Sequence, residues 1–381
     1  MVETLQARDE RDVTDTVAWA LAGNHGLELR GRGSKAALGH AVEAAHVLDL
    51  SRLAGISSYE PEELVLTAGP GTPMAEIEAL LTQRGQELAF EPPDFGAVLG
   101  TGGGTLGGAL SCNLGGPRRF KAGAARDHFL GFRGVSGRAE AFKAGGKVVK
   151  NVTGYDLCKL VAGSYGTLVA LTEVTVKVLP APETQRTLRL HGRDTAAAQA
   201  AMIAAANSPH EVSGLSLADG VAAIRVEGPE PSVAYRLKAL VDLLGGETEI
   251  LDDAPSRAHW RAVRDVAAFA GDQARALWRL SVPPAGGCAL AARLVAETGG
   301  RTLVDWGGGL IWLELPDGEP RADIVRGALA EGHAMLFRAS PQARAAVPVF
   351  QPETAAIAAL SGRVRRQFDP QGLFNPGRMG G

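Results

Sequence analysis

The residues best suited to hold a ligand form a short glycine loop, Gly31-Arg32-Gly33-Ser34-Lys35. Glycine lacks a Cβ atom, so backbone N–H groups in such a loop can converge on anionic oxygens, often at positive φ. Arg32 and Lys35 add two cations, and Ser34 adds a hydroxyl donor. This combination suits a pyrophosphate, whose burial would be costly without charge-assisted hydrogen bonds. A solvated tight turn is the alternative interpretation of this loop taken alone.

Three further glycine loops lie in the first half of the chain. They are GPGTP at 69–73, TLGGALSCNLGG at 105–116 and NVTGYDLCKLVAGSYGTLVALTE at 151–173. A Rossmann fold needs only one such loop to hold a dinucleotide. Several backbone loops that converge on one long ligand fit an extended cofactor better than a compact nucleotide.

Two strings match the dinucleotide fingerprint, Gly31-x-Gly33-x-x-Ala36 and Gly102-x-Gly104-x-x-Gly107. The fingerprint requires a preceding strand, an immediate helix, and an acidic residue about 20 positions further on. The second string follows Glu91-Pro92-Pro93-Asp94, and Gly115-Gly116-Pro117 would end any helix, so it fails. The first string has Asp49 at the end of HVLDL. An NAD-dependent Rossmann dehydrogenase therefore stays open as a minor alternative.

The composition excludes several classes of protein. A chain of 381 residues with 45% hydrophobic and 21% charged residues is typical of two or three globular domains. The formal charge of -3 provides no global positive field for nucleic acid or anionic lipid. The cysteines Cys112, Cys158 and Cys288 lack C-x-x-C spacing, so neither a disulfide framework nor a thiolate metal site is expected, and the cytoplasm is the expected compartment. We expect no signal peptide and no membrane span.

Hydrophobic periodicity predicts the elements that position the loops. A helix over 13–23 and a strand over 27–30 precede the first loop, and a strand over 64–68 precedes the second. The stretch 96–116 contains nine glycines and is predicted to lack regular structure. The pattern at 167–179 predicts a strand or a strand pair.

Pro180 and Pro182 end the strand pattern, and an alanine-rich helical pattern follows, so we predict a domain boundary there. Alternating strand and helix patterns over 184–335 predict a compact α+β unit. A helix near 355–368 is followed by a run of turn formers at 369–378.

At these residues the sequence resembles the FAD-binding domain of the vanillyl-alcohol oxidase and para-cresol methylhydroxylase (PCMH) family of flavoproteins. The RGxGS loop, the paired glycines that end in Asn113-Leu114-Gly115-Gly116, and the GYDL…GSxGTL…T segment occur in that family in this order. More narrowly, GPRR at 116–119, KNVTGYDL at 150–157, DWGG at 305–308 and FNPGRM at 374–379 resemble a flavin-binding subunit of the bacterial glycolate oxidases.

The resemblance implies an α+β fold. It consists of a two-lobed PCMH-type FAD-binding domain at 1–182, an α+β cap domain at 184–335, and a C-terminal segment, 336–381, that returns to the FAD domain. It implies noncovalent FAD, because the first loop carries Ser34 and Lys35 where some members carry the histidine that attaches the flavin. His40, the nearest following histidine, is expected to be an ordinary surface side chain.

Carried over residue by residue, the resemblance assigns fifteen cofactor-binding residues in three stretches. They are Gly31, Arg32, Gly33, Ser34 and Lys35; Thr105, Gly107, Gly108, Ala109 and Cys112; and Gly163, Ser164, Gly166, Thr167 and Val174.

Oxidation of a 2-hydroxy acid would need a base and a cation beside the flavin. Related dehydrogenases carry an HxGDGNxH-type metal and substrate segment, but this chain has EGHAMLFR at 331–338. His333 as base and Arg338 as carboxylate clamp are therefore weak candidates, with structural roles as the alternative, and no metal site is expected.

The same resemblance implies glycolate or another small 2-hydroxy acid as substrate, with a sister flavoprotein subunit and an iron–sulfur subunit as partners. A non-catalytic electron-relay or assembly role stays open, and membrane association would come only through partners. The basic clusters at 118–121 and 363–366 either dock a partner or are solvated charges.

Overall fold

The computed structural model describes residues 3–147 and 154–380 and divides into two compact units. The first unit comprises Met1–Leu114, Gly123–Ala181 and Pro352–Gly381, and the second comprises Gly115–Ala122 and Pro182–Gln351. Among the described residues, none of the helices has the length and apolar character needed to cross a membrane. The part of the KNVTGYDL string at 150–153 lies outside the described residues.

The elements between residues 3 and 180 are β1 (Glu3–Gln6), α1 (Glu10–Gly23), β2 (Leu27–Arg30), β3 (His46–Asp49), β4 (Ile56–Glu60), β5 (Val65–Ala68), α2 (Met74–Thr82), β6 (Gln86–Glu87), α3 (Gly96–Leu99), α4 (Leu106–Ser111), α5 (Arg119–Ala122), α6 (Ala125–His128), β7 (Phe129–Ser136), β8 (Ala141–Gly145), α7 (Leu157–Val161), β9 (Val169–Lys177) and β10 (Leu179–Pro180).

Two sheets form the two lobes of the first unit. One is a parallel sheet with the order β1-β3-β2, and the other is an antiparallel sheet with the order β4-β5-β9-β7-β8. Helix α1 begins at Asp9, whose side chain accepts a hydrogen bond from the backbone N–H of Asp12. It begins three residues before the predicted helix at 13–23, and it buries Val13, Val17 and Ala20 on one face.

The glycine-rich stretch 96–116 was predicted to lack regular structure, and this prediction is wrong. It contains α3 and α4, and the Thr105 side chain caps α4 by accepting a hydrogen bond from the backbone N–H of Gly108. A side chain on Gly107 would lie 2.6 Å from Cβ of Pro70. Glycine is present there because the backbones approach closely, not because the chain is irregular.

The elements after residue 183 are β11 (Thr184–Leu190), α8 (Thr195–Ala206), β12 (Gly214–Ala218), β13 (Val221–Gly228), α9 (Glu230–Leu244), β14 (Thr248–Leu251), α10 (Asp253–Arg264), β15 (Leu277–Ser281), α11 (Pro284–Thr298), β16 (Arg301–Asp305), β17 (Leu310–Glu314), α12 (Ala322–Gly327), β18 (His333–Arg338), α13 (Pro341–Ala346) and α14 (Ala355–Phe368), with short 3₁₀ turns at Ala267–Phe269 and Trp306–Gly308.

An eight-stranded antiparallel sheet dominates the second unit, in the order β14-β11-β13-β12-β16-β17-β15-β18. Its main core takes residues from α8, α9 and α11 and from alternate positions of the strands, such as Ala222 and Ile224. The intervening Ala223 packs with Trp260 of α10 on the opposite face. The unit is therefore α+β, with helices against an antiparallel sheet.

The unit boundaries differ from the expected domain limits at two places. Strand β18 is paired with β15, so a limit at 335 would cut the sheet, and the second unit continues to Gln351. The segment Gly115–Ala122 also belongs to the second unit. Arg118 there forms a buried two-pronged ion pair with Glu227, and the indole N–H of Trp306 donates to the Gly116 carbonyl. Arg118 is therefore not available for docking a partner.

Candidate functional site

A cleft opens in the first unit at the carboxyl ends of the parallel strands β2 and β3. The space between its walls, counted together with the open solvent at its mouth, is about 770 Å³. Six segments line it, at 28–36, 50, 70, 105–112, 165–171 and 375–378. The separate glycine loops thus converge on one space, as an extended cofactor requires.

The first predicted loop forms one wall of this cleft, and all five of its predicted residues line it. Gly33 has φ +75°, which favours glycine, and a Cβ on Gly31 would lie 3.0 Å from the Thr105 hydroxyl oxygen. No helix follows this loop, since turns and bends occupy residues 31–40 of the described chain. The Rossmann alternative is therefore wrong, because its fingerprint needs a helix directly after the loop.

Lys35 carries a cation into the cleft without a carboxylate partner. Its ammonium lies 3.5 Å from the Ser34 hydroxyl, and it forms no ion pair with any carboxylate in the described ranges. Burial lowers the pKa of Lys35, because desolvation disfavours the charged form. An anionic ligand in the cleft would relieve this cost.

The charges that line the cleft are unbalanced. Arg30, Arg32, Lys35 and Arg378 are cationic, and Glu28 alone is anionic, which makes four positive groups against one negative group. Glu28 pairs with Arg30 at 2.6 Å and with Arg378 at 3.1 Å. The buried Nε atoms of both arginines lack a hydrogen-bond partner among the described residues. In a chain of net charge -3, this local excess favours an anionic ligand such as a diphosphate.

The second predicted stretch lies across the cleft from the first. Thr105, Gly107, Gly108 and Cys112 line it, whereas Ala109 is buried in α4 and does not. Burial raises the pKa of the Cys112 thiol, despite the nearby positive charge of Lys35. The cysteine is therefore a neutral thiol and not a reactive thiolate at neutral pH.

The third predicted stretch contributes less than expected. Of its five assigned residues only Gly166 lines the cleft, together with Tyr165, Val169 and Leu171, which were not assigned. Val174 points into the core of the antiparallel lobe. The Thr167 hydroxyl donates to the Ser164 carbonyl at 2.7 Å, which shapes the turn that presents Gly166.

The C-terminal tail completes the cleft, although none of its residues was predicted to belong to the site. Residues 373–375 run beside β2, with Leu27 N–H donating to the Leu373 carbonyl and Asn375 N–H to the Leu27 carbonyl. The Asn375 side chain accepts from the Leu29 N–H at 2.9 Å and donates to the Tyr165 carbonyl at 2.8 Å. It therefore ties β2 to the loop that carries Gly166.

Arg378 ties the tail to β2 and to the segment that follows the first loop. Its guanidinium donates to the Leu38 carbonyl at 3.0 Å and to Glu28 at 3.1 Å. Both tail residues belong to the FNPGRM string, and its resemblance to the glycolate oxidase subunits was the signal that could have assigned them to the site.

The structure does not bring the two catalytic candidates together. His333 is exposed at the start of β18, and Arg338 is buried at its other end. Arg338 donates to Glu314 at 2.8 Å and to the backbone carbonyls of Phe269 and Arg275. This guanidinium stabilises the interior of the second unit, a geometry that does not support its role as a carboxylate clamp. No group of three His, Cys, Asp or Glu suited to a metal occurs within residues 3–147 and 154–380.

Comparisons with known proteins agree with this site. The profile of the FAD binding domain family matches residues 4–145. The glycolate oxidase subunit GlcE of Escherichia coli (strain K12) is 37% identical over 369 residues, which cover 96% of this chain and 95% of that protein. The glycolate oxidase subunit GlcD of Bacillus subtilis (strain 168) is 36% identical over 158 residues, which cover 41% of this chain and 32% of that protein.

A solved structure of an alkyldihydroxyacetonephosphate synthase matches with a TM-score of 0.69 at 16% identity, covering 98% of this chain and 75% of that one. At this identity the likeness concerns the fold alone. The predicted fold class is confirmed as α+β with a PCMH-type FAD-binding domain. FAD is the cofactor, as predicted.

Proposed function

Because the chain belongs to the family of the glycolate oxidase subunit GlcE, a family of FAD-linked oxidoreductases, we propose that it is the FAD-binding E subunit of a glycolate oxidase complex. The complex would oxidise glycolate, a 2-hydroxy acid, to glyoxylate. The observation that carries the proposal is the cleft of converging glycine loops with four cations against one carboxylate.

The residues of the cleft fit FAD because they offer cationic side chains and backbone N–H groups as hydrogen-bond donors. When bound, FAD supplies the acceptor for the hydride of a hydroxy acid. Lys35 and Arg378 would neutralise the diphosphate, and the backbone of Gly31 and Gly33 would approach it closely because no Cβ intervenes. Val169 and Leu171 offer an apolar wall that excludes water from the cleft.

We infer that FAD is held noncovalently. No histidine lines the cleft among the described residues, and Cys112 is held as a neutral thiol by its raised pKa. Acid precipitation should leave free FAD in the supernatant. Flavin that stays with the precipitated chain would overturn this part of the proposal.

Electrons would leave through partner subunits, because the three cysteines of this sequence, all of them described, form no cluster that could ligate an iron–sulfur centre. Cys158 and Cys288 are buried in different units, and Cys112 lies in the cleft. A sister flavoprotein subunit and an iron–sulfur subunit are the partners that we propose. Glycolate, D-lactate and other small 2-hydroxy acids are the substrates to compare.

A second candidate function is a flavin-bearing electron relay or assembly subunit whose sister subunit oxidises the substrate. The engagement of Arg338 by Glu314 and two backbone carbonyls favours it, because the guanidinium predicted to clamp the substrate is then held inside the second unit.

One anaerobic experiment separates the two candidates. Glycolate is added to the purified yellow chain alone and to the chain assembled with its partner subunits, and the visible flavin absorbance is followed. Bleaching of the chain alone supports direct oxidation, whereas bleaching that needs the partners supports the relay. A colourless chain that cannot be loaded with FAD would refute both.

A further inference from the structure

Two arginines from distant parts of the second unit stack on the same indole ring. The guanidinium carbon of Arg119 lies 4.8 Å from the ring centroid of Trp306, and that of Arg279 lies 5.4 Å from it. The Arg279 guanidinium also lies 5.8 Å from the ring of Trp312. Both arginines are half-buried, and both tryptophans are buried. Two like charges are therefore held close together at a place where water screens them only in part.

Trp306 has a backbone conformation that a bulky residue seldom adopts. Its φ is +53°, and Gly307 and Gly308 continue the turn at +63° and +111°. The Trp306 backbone N–H donates to the Asp305 carboxyl at 2.7 Å, and its indole N–H donates to the Gly116 carbonyl at 3.0 Å. A left-handed φ at a bulky residue is costly, and such residues concentrate at functional sites. The strained turn fixes the ring that both arginines contact.

Arg279 lies on the sheet face opposite to the main core of the second unit. It pairs directly with Trp312 across β15 and β17, so the two side chains share that face. Trp278 and Leu280, the neighbours of Arg279 in β15, alternate onto the other face and belong to the main core. The Arg279 guanidinium therefore lies beside the aromatic rings and outside the apolar interior of that core.

Two carboxyl groups on this face, those of Glu314 and Asp305, are already engaged. Glu314 in β17 is paired with three arginines, namely Arg275 at 3.6 Å, Arg301 at 2.8 Å and Arg338 at 2.8 Å. Asp305, at the end of β16, accepts the Trp306 N–H. We call Arg119, Arg279, Asp305, Trp306 and Trp312 the Trp306 cluster. It contains two cationic groups and one carboxyl group, so its net charge is positive.

The Trp306 cluster joins two strings that the cofactor cleft does not use. Arg119 ends the GPRR string at 116–119, and Trp306 belongs to the DWGG string at 305–308. Within the described ranges, the residues that line the cleft come from neither string. The two strings meet through the indole of Trp306, which bonds to Gly116 and stacks with Arg119. Their meeting point is thus a second concentration of positive charge in the chain.

We propose that the Trp306 cluster binds the carboxylate of a small 2-hydroxy acid through Arg119 and Arg279. This proposal rests on the proposed function, which supplies the hydroxy acid as the substrate class. An indole covers the flat face of a guanidinium, and the N–H groups at the guanidinium edge form the planar fork that matches a carboxylate. One monocarboxylate would also balance the net positive charge of the cluster.

The test is equilibrium dialysis of isotopically labelled glycolate against the full-length, FAD-loaded chain, under anaerobic conditions and without an electron acceptor. Arg119→Gln and Arg279→Gln remove the charge and keep much of the side-chain length. We expect each variant to raise the dissociation constant for glycolate at least about tenfold, because a charge-assisted hydrogen bond is lost. Arg261→Gln changes an exposed arginine of α10 in the same unit, and this matched control should bind glycolate like the wild type.

Two further measurements separate recognition of a carboxylate from a purely structural role. Arg279→Lys keeps the positive charge but lacks the planar fork, so its affinity for glycolate should lie between those of the wild type and Arg279→Gln. Glycolamide, a neutral analogue of glycolate, should not compete with glycolate for the wild-type chain. Urea unfolding and the FAD content of each variant check that the chain still folds.

Three outcomes would overturn the proposal. The first is wild-type affinity for glycolate in both glutamine variants, and the second is a wild-type chain that retains FAD but binds no glycolate. The third is displacement of glycolate by glycolamide at equal concentration, since a site for carboxylates must discriminate against the neutral amide. Each of these results leaves FAD binding intact. A chain that cannot be loaded with FAD would instead refute the proposed function, so the two failures are distinguishable.

Discussion

Replacing Lys35 by methionine should have opposite effects on the free and the FAD-bound protein. Methionine keeps most of the apolar length of the side chain and removes the charge. In the free protein the ammonium is a desolvated cation without a carboxylate partner in the described chain, so its removal should stabilise the fold. In the bound protein the same ammonium would meet the diphosphate, so its removal should weaken binding.

The magnitudes follow from the environment of this one group. A hydrogen bond to a charged partner contributes about 1.5 to 3 kcal/mol, so the dissociation constant for FAD should rise about 10- to 150-fold. Relief of the desolvation cost in the apoprotein should be of order 1 kcal/mol, because the cleft is still partly open to water.

The buried ammonium of Lys35 should also make the stability of the apoprotein depend on pH. The pKa of Lys35 is lower in the folded chain than its ordinary value of 10.5, so the unfolded chain binds more protons at alkaline pH. Stability of the wild-type apoprotein should therefore rise as the pH increases toward 10.5, and Lys35→Met should remove that increment.

The assays are urea unfolding of the apoproteins and titration of each apoprotein with FAD by flavin fluorescence. Lys143→Met, which removes an exposed cation of the same unit on β8, is the matched control and should change neither quantity appreciably. Unchanged FAD affinity in Lys35→Met would refute the assignment of Lys35 to the diphosphate. An apoprotein less stable than the wild type would refute the argument that the buried ammonium destabilises the free protein.

Three further variants probe the tail and the second unit. Asn375→Ala removes two partly buried hydrogen bonds, each costing about 1 to 3 kcal/mol when its partner is left unsatisfied, and should weaken FAD binding at least about tenfold in flavin titrations. Asn375→Gly, which suits the local φ of +44°, separates backbone strain from the lost side chain, and wild-type affinity in both would contradict the role of the tail. Gly166→Ala places a Cβ 2.7 Å from the Asn375 amide nitrogen at φ +72°, so the purified chain should contain less FAD per protein; full FAD content would count against the turn geometry. Although burial opposes its ionisation, Arg225 and Arg118 lower the pKa of Glu227 to about 2, so its contribution to stability is complete above about pH 4.5 and is lost as the pH falls toward 2. Glu227→Gln should lose that acid dependence and about 3 to 5 kcal/mol at neutral pH in urea unfolding, and an unchanged acid profile would show that the pair is not coupled to folding.

Local pattern was enough to find the elements that carry the first loop. The periodicity of α1, the strand at 27–30 and the GRGSK string depend on interactions between near neighbours in the chain. The change in sequence pattern at 180–182 likewise lies where the structure divides into its two units, between Ala181 and Pro182. The α+β class and the FAD cofactor followed from such strings and from the resemblance that they carry.

Pairings between distant residues were not visible in the sequence. The Asn375 side chain bonds to Leu29 across 346 positions, and Arg118 pairs with Glu227 across 109. Nothing in the spacing of either pair indicates that the two residues meet. Val174 is the opposite case, a predicted contact that the structure does not show. Its place in the family motif suggested a contact with the cofactor, but its position in β9 directs the side chain into the core.

The sequence by itself determined which segments are rich in glycine and which carry charge, because the missing side chain of glycine and the charge of arginine do not depend on the fold. Only the tertiary structure decided that these segments surround one cleft, that the C-terminal tail closes it, and that Arg338 is engaged by Glu314. The physical reason is that contacts between residues far apart in the sequence form only when burial and hydrogen bonding over the whole fold offset the entropy of loop closure. A short stretch of sequence does not contain that information.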